Sequence, residues 1–260
     1  RYIEPFVGGG SMLPFRQIRN AVASDVIPEL IKLWKVIKNN PEQVAAEYQL
    51  RWNRLQNEGH KVYYEIRTNF NNTKNEFDFL FLTRTCVNGL IRYNAMGEFN
   101  NSIHKNRPGI NPKSFREIIM KWNYFIRDVE FHKYDYRKTL EDANKNDFIF
   151  LDPPYGGTKD RYKKTEFNLN DFYNELERLN SRGASWVLTF DGVAGNRDYD
   201  FHLPKEIFKH KIRIKTGNSP FTKLMRTNID AVYESVYFNF KPNGLRSDFS
   251  QDVPQEFAFV

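Results

Sequence analysis

Short, wholly apolar runs alternate along the 260-residue chain with longer stretches in which apolar positions recur at helical spacing. Residues 1–7, Ala21 to Asp25, Val129 to Asp135, Phe148 to Leu151 and Ser185 to Asp191 each read as a strand. Phe148-Ile149-Phe150-Leu151 is hydrophobic at every position, as a strand covered on both faces of a parallel sheet should be. Between the strands lie amphipathic helices. Leu30, Leu33, Trp34 and Ile37 share one face, and Leu169 to Leu179 repeats the pattern. Residues 41–83 keep helical periodicity with few breakers and read as an inserted helical segment, with Trp52, Leu55, Tyr63, Tyr64 and Phe70 as core. Lys211 to Lys215 and Ala231 to Phe240 form a closing strand pair; beyond Pro242 apolar residues thin out. Strands alternating with helices predict an α/β fold, a doubly wound sheet with one insertion.

Candidate chemistry sits where the apolar runs stop. Asp152-Pro153-Pro154-Tyr155 follows the Phe148–Leu151 run. Neither proline has an N–H to donate, so the strand ladder ends there, and Pro153 biases Asp152 towards extended backbone. The result is a stiff shelf at the carboxyl end of a strand, where open α/β sheets bind ligands. Its Asp152 carboxylate and Pro153 carbonyl can accept both hydrogens of a nucleobase amino group while Tyr155 stacks on the ring. Two such acceptors favour the pyramidal, charge-developing geometry of attack. The plainer alternative is a diproline turn. Gly8-Gly9-Gly10 closes the first strand and allows close backbone approach to a ligand, with Ser11 capping a short helix after it. No Gly-Lys-Ser/Thr follows, so this is not a phosphate-cradling loop. Asp25 ends the second strand, placed either for ribose hydroxyls or for a helix N-cap. Asp135-Tyr136 offers an acid and a ring for an adenine, or a cap for a helix over residues 137–143.

Charge adds a partner. The net charge is +7, yet Arg84 to Arg127 carries +6, Lys205 to Arg226 another +6 and Gly157 to Lys164 +3, leaving −8 on the remainder. Basic segments set against an acidic remainder suggest one nucleic-acid-facing surface. Asn88-Gly89-Leu90-Ile91-Arg92-Tyr93-Asn94 to Asn100 reads as a hairpin or paired loops presenting Arg and Asn, the types that read guanine and adenine edges. Arg107 to Lys113 and the loop carrying Lys159 and Arg161 suit a phosphate backbone. A single cysteine, Cys86, excludes an internal disulfide, and scattered histidines give no metal-site spacing, so no metal is expected. No apolar run could span a bilayer and no signal pattern opens the chain, so a cytoplasmic protein is expected.

Glu4-Pro5-Phe6-Val7-Gly8-Gly9-Gly10, the Asn88–Asn100 stretch and Asp152-Pro153-Pro154-Tyr155, in that order, resemble the Dam-like (D12 class) DNA adenine-N6 methyltransferases. The resemblance implies a Rossmann-like, class I methyltransferase sheet with an antiparallel last strand and a mostly helical DNA-recognition insertion. Residues 1–40 and 128–241 would form the catalytic domain, 41–127 the insertion and 242–260 a peripheral tail. It further implies S-adenosyl-L-methionine held by Glu4, Phe6, Gly8, Gly9 and Gly10, by Asp25 at the ribose and by Asp135 and Tyr136 at the adenine. Asp152, Pro153, Pro154 and Tyr155 would grip a flipped adenine in double-stranded DNA, with Asp152 also at the cofactor. Asn88, Leu90, Arg92, Asn94 and Asn100 would lie on the recognition hairpin. A monomer working in restriction-modification, with a cognate endonuclease, completes the expectation. The family pattern also carries a lysine- and glycine-containing segment ahead of the glycine turn, whereas this sequence opens at Arg1 with the first strand. Asn101-Ser102-Ile103 stands where many members have a Pro and a Gly, and Asp191-Gly192 differs from the Ser-Asn of GATC-type members. The rival readings are a catalytically silent DNA-binding homologue and an amino methyltransferase acting on RNA or protein.

Overall fold

A computed structural model of the chain describes residues 1–15, 20–106, 109–154, 167–194, 197–198, 203–218 and 231–242. Strands β1 (Tyr2–Glu4), β2 (Ala21–Ser24), β3 (Val129–His132), β4 (Phe148–Leu151), β5 (Ser185–Ala194), β7 (His210–Asn218) and β8 (Ala231–Phe238) form one sheet in the order β3-β2-β1-β4-β5-β8-β7. The short β6 (Arg197–Asp198) pairs off this path with the far end of β5. From β3 to β5 every pairing is parallel, whereas β8 runs against both β5 and β7. The predicted doubly wound sheet with an antiparallel last strand is therefore the fold.

Period-two alternation decides which side chain meets which layer. Tyr2, Phe150 and Val187 join one core, while Ile3, Ile149, Leu151, Trp186 and Leu188 join the other. The second face is covered by α6 (Tyr136–Thr139) and α7 (Leu169–Ser181), through Tyr136, Phe172, Leu176 and Leu179. The first is covered by α1 (Pro28–Asn39) and the helices that follow it: α2 (Pro41–Glu58), α3 (Lys61–Thr73), α4 (Glu76–Thr85) and α5 (Pro112–Phe125). Trp34 of α1 stands 5.1 Å from Trp122 of α5 and lies flat on Phe131 of β3, so the inserted helices share a core with the sheet. Asn75, Asn111 and Asn168 each accept a backbone N–H at the start of a helix, an N-cap contribution of about 1 kcal/mol apiece.

Two expectations change, and one alternative is decided. The third strand stops at His132 rather than Asp135, and the helix after it is only Tyr136–Thr139, because Asp135 caps it at one end and the chain turns at Leu140. Ser11 is exposed; the short helix after the glycine turn is a 3-10 turn, Leu13–Phe15, and the Gly10 carbonyl accepts the Leu13 N–H. Of the two readings of the Asn88–Asn100 stretch, a hairpin or paired loops, the structure has paired loops. A 3-10 turn, Val87–Gly89, opens it, and among the described residues its antiparallel bridges are Cys86 with Ile103 and Tyr93 with Phe99.

Candidate active site and recognition loop

The direction of winding locates the site. From β1 the chain moves outward through β2 and β3, then returns to lay β4 on the other side of β1. The carboxyl ends of β1 and β4 thus flank the point where strand order reverses, the crevice in which such sheets take ligands. Glu4 closes β1 and Asp152 follows β4.

Glu4 is almost fully buried, and the Tyr2 phenol donates to its Oε2 at 2.8 Å. Burial pushes its carboxyl up to about 8; the Tyr2 hydrogen bond opposes this and the charge of Asp152 adds to it. Asp152 is exposed, and its Oδ1 accepts from the Thr189 hydroxyl at 2.7 Å. The same hydroxyl reaches the Leu151 carbonyl at 3.3 Å, so β5 fixes the carboxylate relative to the strand it leaves. Glu234 of β8 is also raised, by burial first and then by Asp152. Asp152 therefore shares this edge with two buried acids whose ionisation burial suppresses, and a cationic ligand would favour the charged form of each. Pro153 is buried and Pro154 half-buried; Tyr155 lies outside the described residues.

The glycine turn is built around Trp34. Val7 N–H donates to the Ser24 carbonyl, and Gly8 N–H to Asp25 Oδ2 at 3.2 Å. The Trp34 indole N–H donates to the Gly8 carbonyl at 3.1 Å. Gly10 has φ +67°, and a Cβ there would sit 2.9 Å from the Trp34 ring, so only glycine fits without displacement. Asp25 Oδ1 accepts the Ile27 N–H at 3.0 Å, so this acid joins the glycine turn to the start of α1. Burial raises its carboxyl although backbone amides lower it. Each oxygen retains a lone pair for a further donor. Phe6 stacks on Tyr136 at 5.4 Å, with Phe167 and Phe172 edge-on to it. Asp135 caps α6 by accepting Arg137 N–H at 3.0 Å and also pairs with that guanidinium.

This donor set matches S-adenosylmethionine in kind. It supplies carboxylates for an ammonium and a ribose diol, rings beside the pocket and a glycine turn free of side chains. Among the described residues no group of three or more His, Cys, Asp or Glu could hold a metal ion.

In the Asn88–Asn100 loop Asn88, at φ 57°, and Arg92 are exposed, as is Leu90 in part. Asn94 is committed to the loop itself: its Oδ1 accepts from Met96 N–H and Glu98 N–H, and its amide donates to Glu98. The Asn100 N–H donates to the Arg92 carbonyl at 3.0 Å, while its side-chain oxygen is buried with no hydrogen-bond partner among the described residues. Lys159, Arg161 and Arg107 lie outside the described residues. Sequence reasoning missed Thr189, Glu234, the indole of Trp34 as a partner of Gly8, and the helix α3 side chains that hold the loop. Each acts through a neighbour distant in sequence, which no local pattern signals.

A family model described as D12 class N6 adenine-specific DNA methyltransferase matches residues 1–216. A Type II methyltransferase of Methanocaldococcus jannaschii is 30% identical over 92% of this chain and 88% of its own length. The DNA N-6-adenine-methyltransferase of Escherichia phage P1 is 31% identical over 76% of this chain, and the DNA adenine methylase of Haemophilus influenzae 29% over 65%. This chain spans 27% and 60% of those two proteins, so the likeness to them is confined to part of each. The strand order, the acid–diproline shelf and a match over most of the length agree, and the chain belongs to the D12 class of N6 adenine-specific DNA methyltransferases.

Proposed function

We propose that the crevice between β1 and β4 transfers a methyl group from S-adenosyl-L-methionine to N6 of an adenine rotated out of double-stranded DNA. S-adenosylmethionine supplies the electrophilic methyl. Glu4 and the glycine turn hold its methionine portion, Asp25 its ribose, and Asp135 with Tyr136 its adenine. Asp152 and the Pro153 carbonyl accept the two N6 hydrogens of the target base. This draws the nitrogen lone pair out of conjugation and stabilises the positive charge that develops on N6 as it attacks. Pro154 stiffens that shelf, and Tyr155 is assigned to stack on the base. Extruding the base costs a few kcal/mol, offset by stacking and edge hydrogen bonds.

Residues 1–40 and 128–241 are assigned to catalysis and 41–127 to recognition. Asn88, Leu90, Arg92 and Asn100 face the target sequence, Asn94 shapes their loop, and Lys159 and Arg161 follow phosphates. We place the protein in the cytoplasm as a monomer. The Type II name of the Methanocaldococcus jannaschii relative supports a restriction-modification role with a cognate endonuclease.

The observation that carries this reading is the Thr189-oriented carboxylate of Asp152 facing buried Glu4 across the point where strand order reverses. The test is incubation of the chain with methyl-labelled S-adenosylmethionine and a mixed-sequence plasmid pool, followed by digestion to nucleosides. Label in N6-methyladenine, absent with Asp152→Ala, is the expected result. Duplex binding without label would leave a DNA-binding protein that does no chemistry.

A further inference from the structure

The recognition loop is moored to helix α3 at two residues, Phe99 and Asn101. The carboxamide of Asn71 pairs with both backbone groups of Phe99: Phe99 N–H donates to its Oδ1 at 2.8 Å, and its Nδ2 donates to the Phe99 carbonyl at 3.1 Å. One side chain thereby stands in for a neighbouring strand. Two residues on, the Asn101 carbonyl accepts from the Tyr63 hydroxyl at 2.9 Å and from the Arg67 guanidinium at 3.2 Å. The Asn101 amide in turn donates to the carbonyls of Val87 and Leu90, closing the near end of the loop. The Phe99 ring is buried, edge-on to Phe70 of α3 and to Tyr93 across the loop.

Arg92 lies directly opposite this anchor. Its carbonyl accepts the Asn100 N–H, and its neighbour Tyr93 is bridged to Phe99. The loop has no continuous ladder to fix its register; those two links, the Asn94 N–H to Glu98 carbonyl and Val87 N–H to Ser102 carbonyl bonds and the Asn71 clasp do so instead. Asparagine is a poor helix former, yet it occupies the last turn of α3, where its propensity cost is offset by two hydrogen bonds. A residue that sets the position of a base-reading arginine acts on discrimination between sequences, because a bidentate base contact tolerates little displacement.

We infer that Asn71 is a positioning residue for sequence recognition: by clasping the backbone of Phe99 it fixes the register of the loop that presents Arg92 to the bases. The inference rests on the proposed role of that loop in reading DNA.

The experiment is a double-mutant cycle on Asn71→Ala and Arg92→Ala, read as discrimination. Wild-type protein is first incubated with labelled S-adenosylmethionine and a mixed-sequence plasmid pool, and its methylated adenines are mapped. All four proteins are then compared on the mapped site and on duplexes carrying each single-base change. Asn71→Ala is expected to lower discrimination about tenfold at the base position that Arg92→Ala also relaxes, the scale of one lost base contact. The maximal rate on the mapped site and the affinity for S-adenosylmethionine alone stay at wild-type values. Adding Asn71→Ala to Arg92→Ala brings no further loss at that position. Additive losses, a uniform fall on every sequence, or a parallel fall in cofactor affinity would overturn the inference and leave Asn71 a packing residue. If Asn71→Ala does not fold, Asn71→Asp is used: it keeps the acceptor for Phe99 N–H and sets a charge against the Phe99 carbonyl, with the same outcomes. Wild-type protein that methylates no adenine defeats the proposed function itself, a result separate from any outcome of the cycle.

Discussion

A carboxyl group held away from water prefers to keep its proton, and Glu4 is such a group. Its folded value of about 8 lies above the 4.5 of an exposed glutamate, so the folded chain holds a proton that the unfolded chain releases. Stability of the cofactor-free protein should therefore fall as pH rises from about 5 to about 8, then level off; Asp25, raised in the same direction, adds to the slope. Glu4→Gln should flatten this dependence in thermal melts taken across that range. An ammonium favours the ionised form, so cofactor affinity should rise with pH in the wild type and not in Glu4→Gln. Thr189→Val removes the hydroxyl that orients Asp152. The maximal methylation rate should drop by about tenfold to a hundredfold with little change in DNA affinity, since positioning acts on the transition state. Equal loss of DNA binding would make Thr189 a structural residue only. Asp152 was legible in the sequence because it ends an apolar run, and Glu4 through the resemblance carried by the segment before the glycine turn. Thr189 and Glu234 were not, because sheet pairing delivers them from more than thirty positions away, and pairing register is a property of the assembled sheet.

Elements were legible where one periodicity dominated. The Phe148–Leu151 strand, the Leu169 helix and the helical run from residue 41 needed only their apolar spacing. The glycine turn could be read as a turn, but its support could not, since Trp34 scored simply as one more apolar position on α1. Gly10→Ala tests that support. At φ +67° with a Cβ 2.9 Å from the indole, the substitution should destabilise the fold by about 1–3 kcal/mol in urea unfolding and weaken cofactor binding. A change within experimental error would show that the ring moves aside at no cost. The recognition loop was the least legible element. Asn-Gly and Gly97 left a hairpin and paired loops both open, and the side-chain carboxamides of Asn71, Asn94 and Asn101 that help close the loops carry no local signal. Arg92, exposed on that loop, should relax specificity at one base position by about 1–3 kcal/mol when changed to alanine, measured by competition among single-base variants. A uniform loss would reassign it to phosphate.

On the scale of the whole molecule, charge is unevenly distributed along the chain. The sheet edge that gathers Glu4, Asp152 and Glu234 is acidic, while three basic segments hold more than the entire net charge of +7. Lys159→Ala with Arg161→Ala should reduce the slope of log affinity against log salt by about 0.9 per phosphate contact removed. An unchanged slope would take both residues off the backbone. The sheet itself has a timetable. β8 arrives last along the chain yet sits between β5 and β7, so neither of those strands has its inner partner until residue 238 has been made. During synthesis the first five strands and their covering helices can assemble while two strand edges wait open for the final segment. A ribosome stalled after residue 230 would therefore hold a nascent chain that already has Glu4 and Asp152 but is prone to stick to its neighbours.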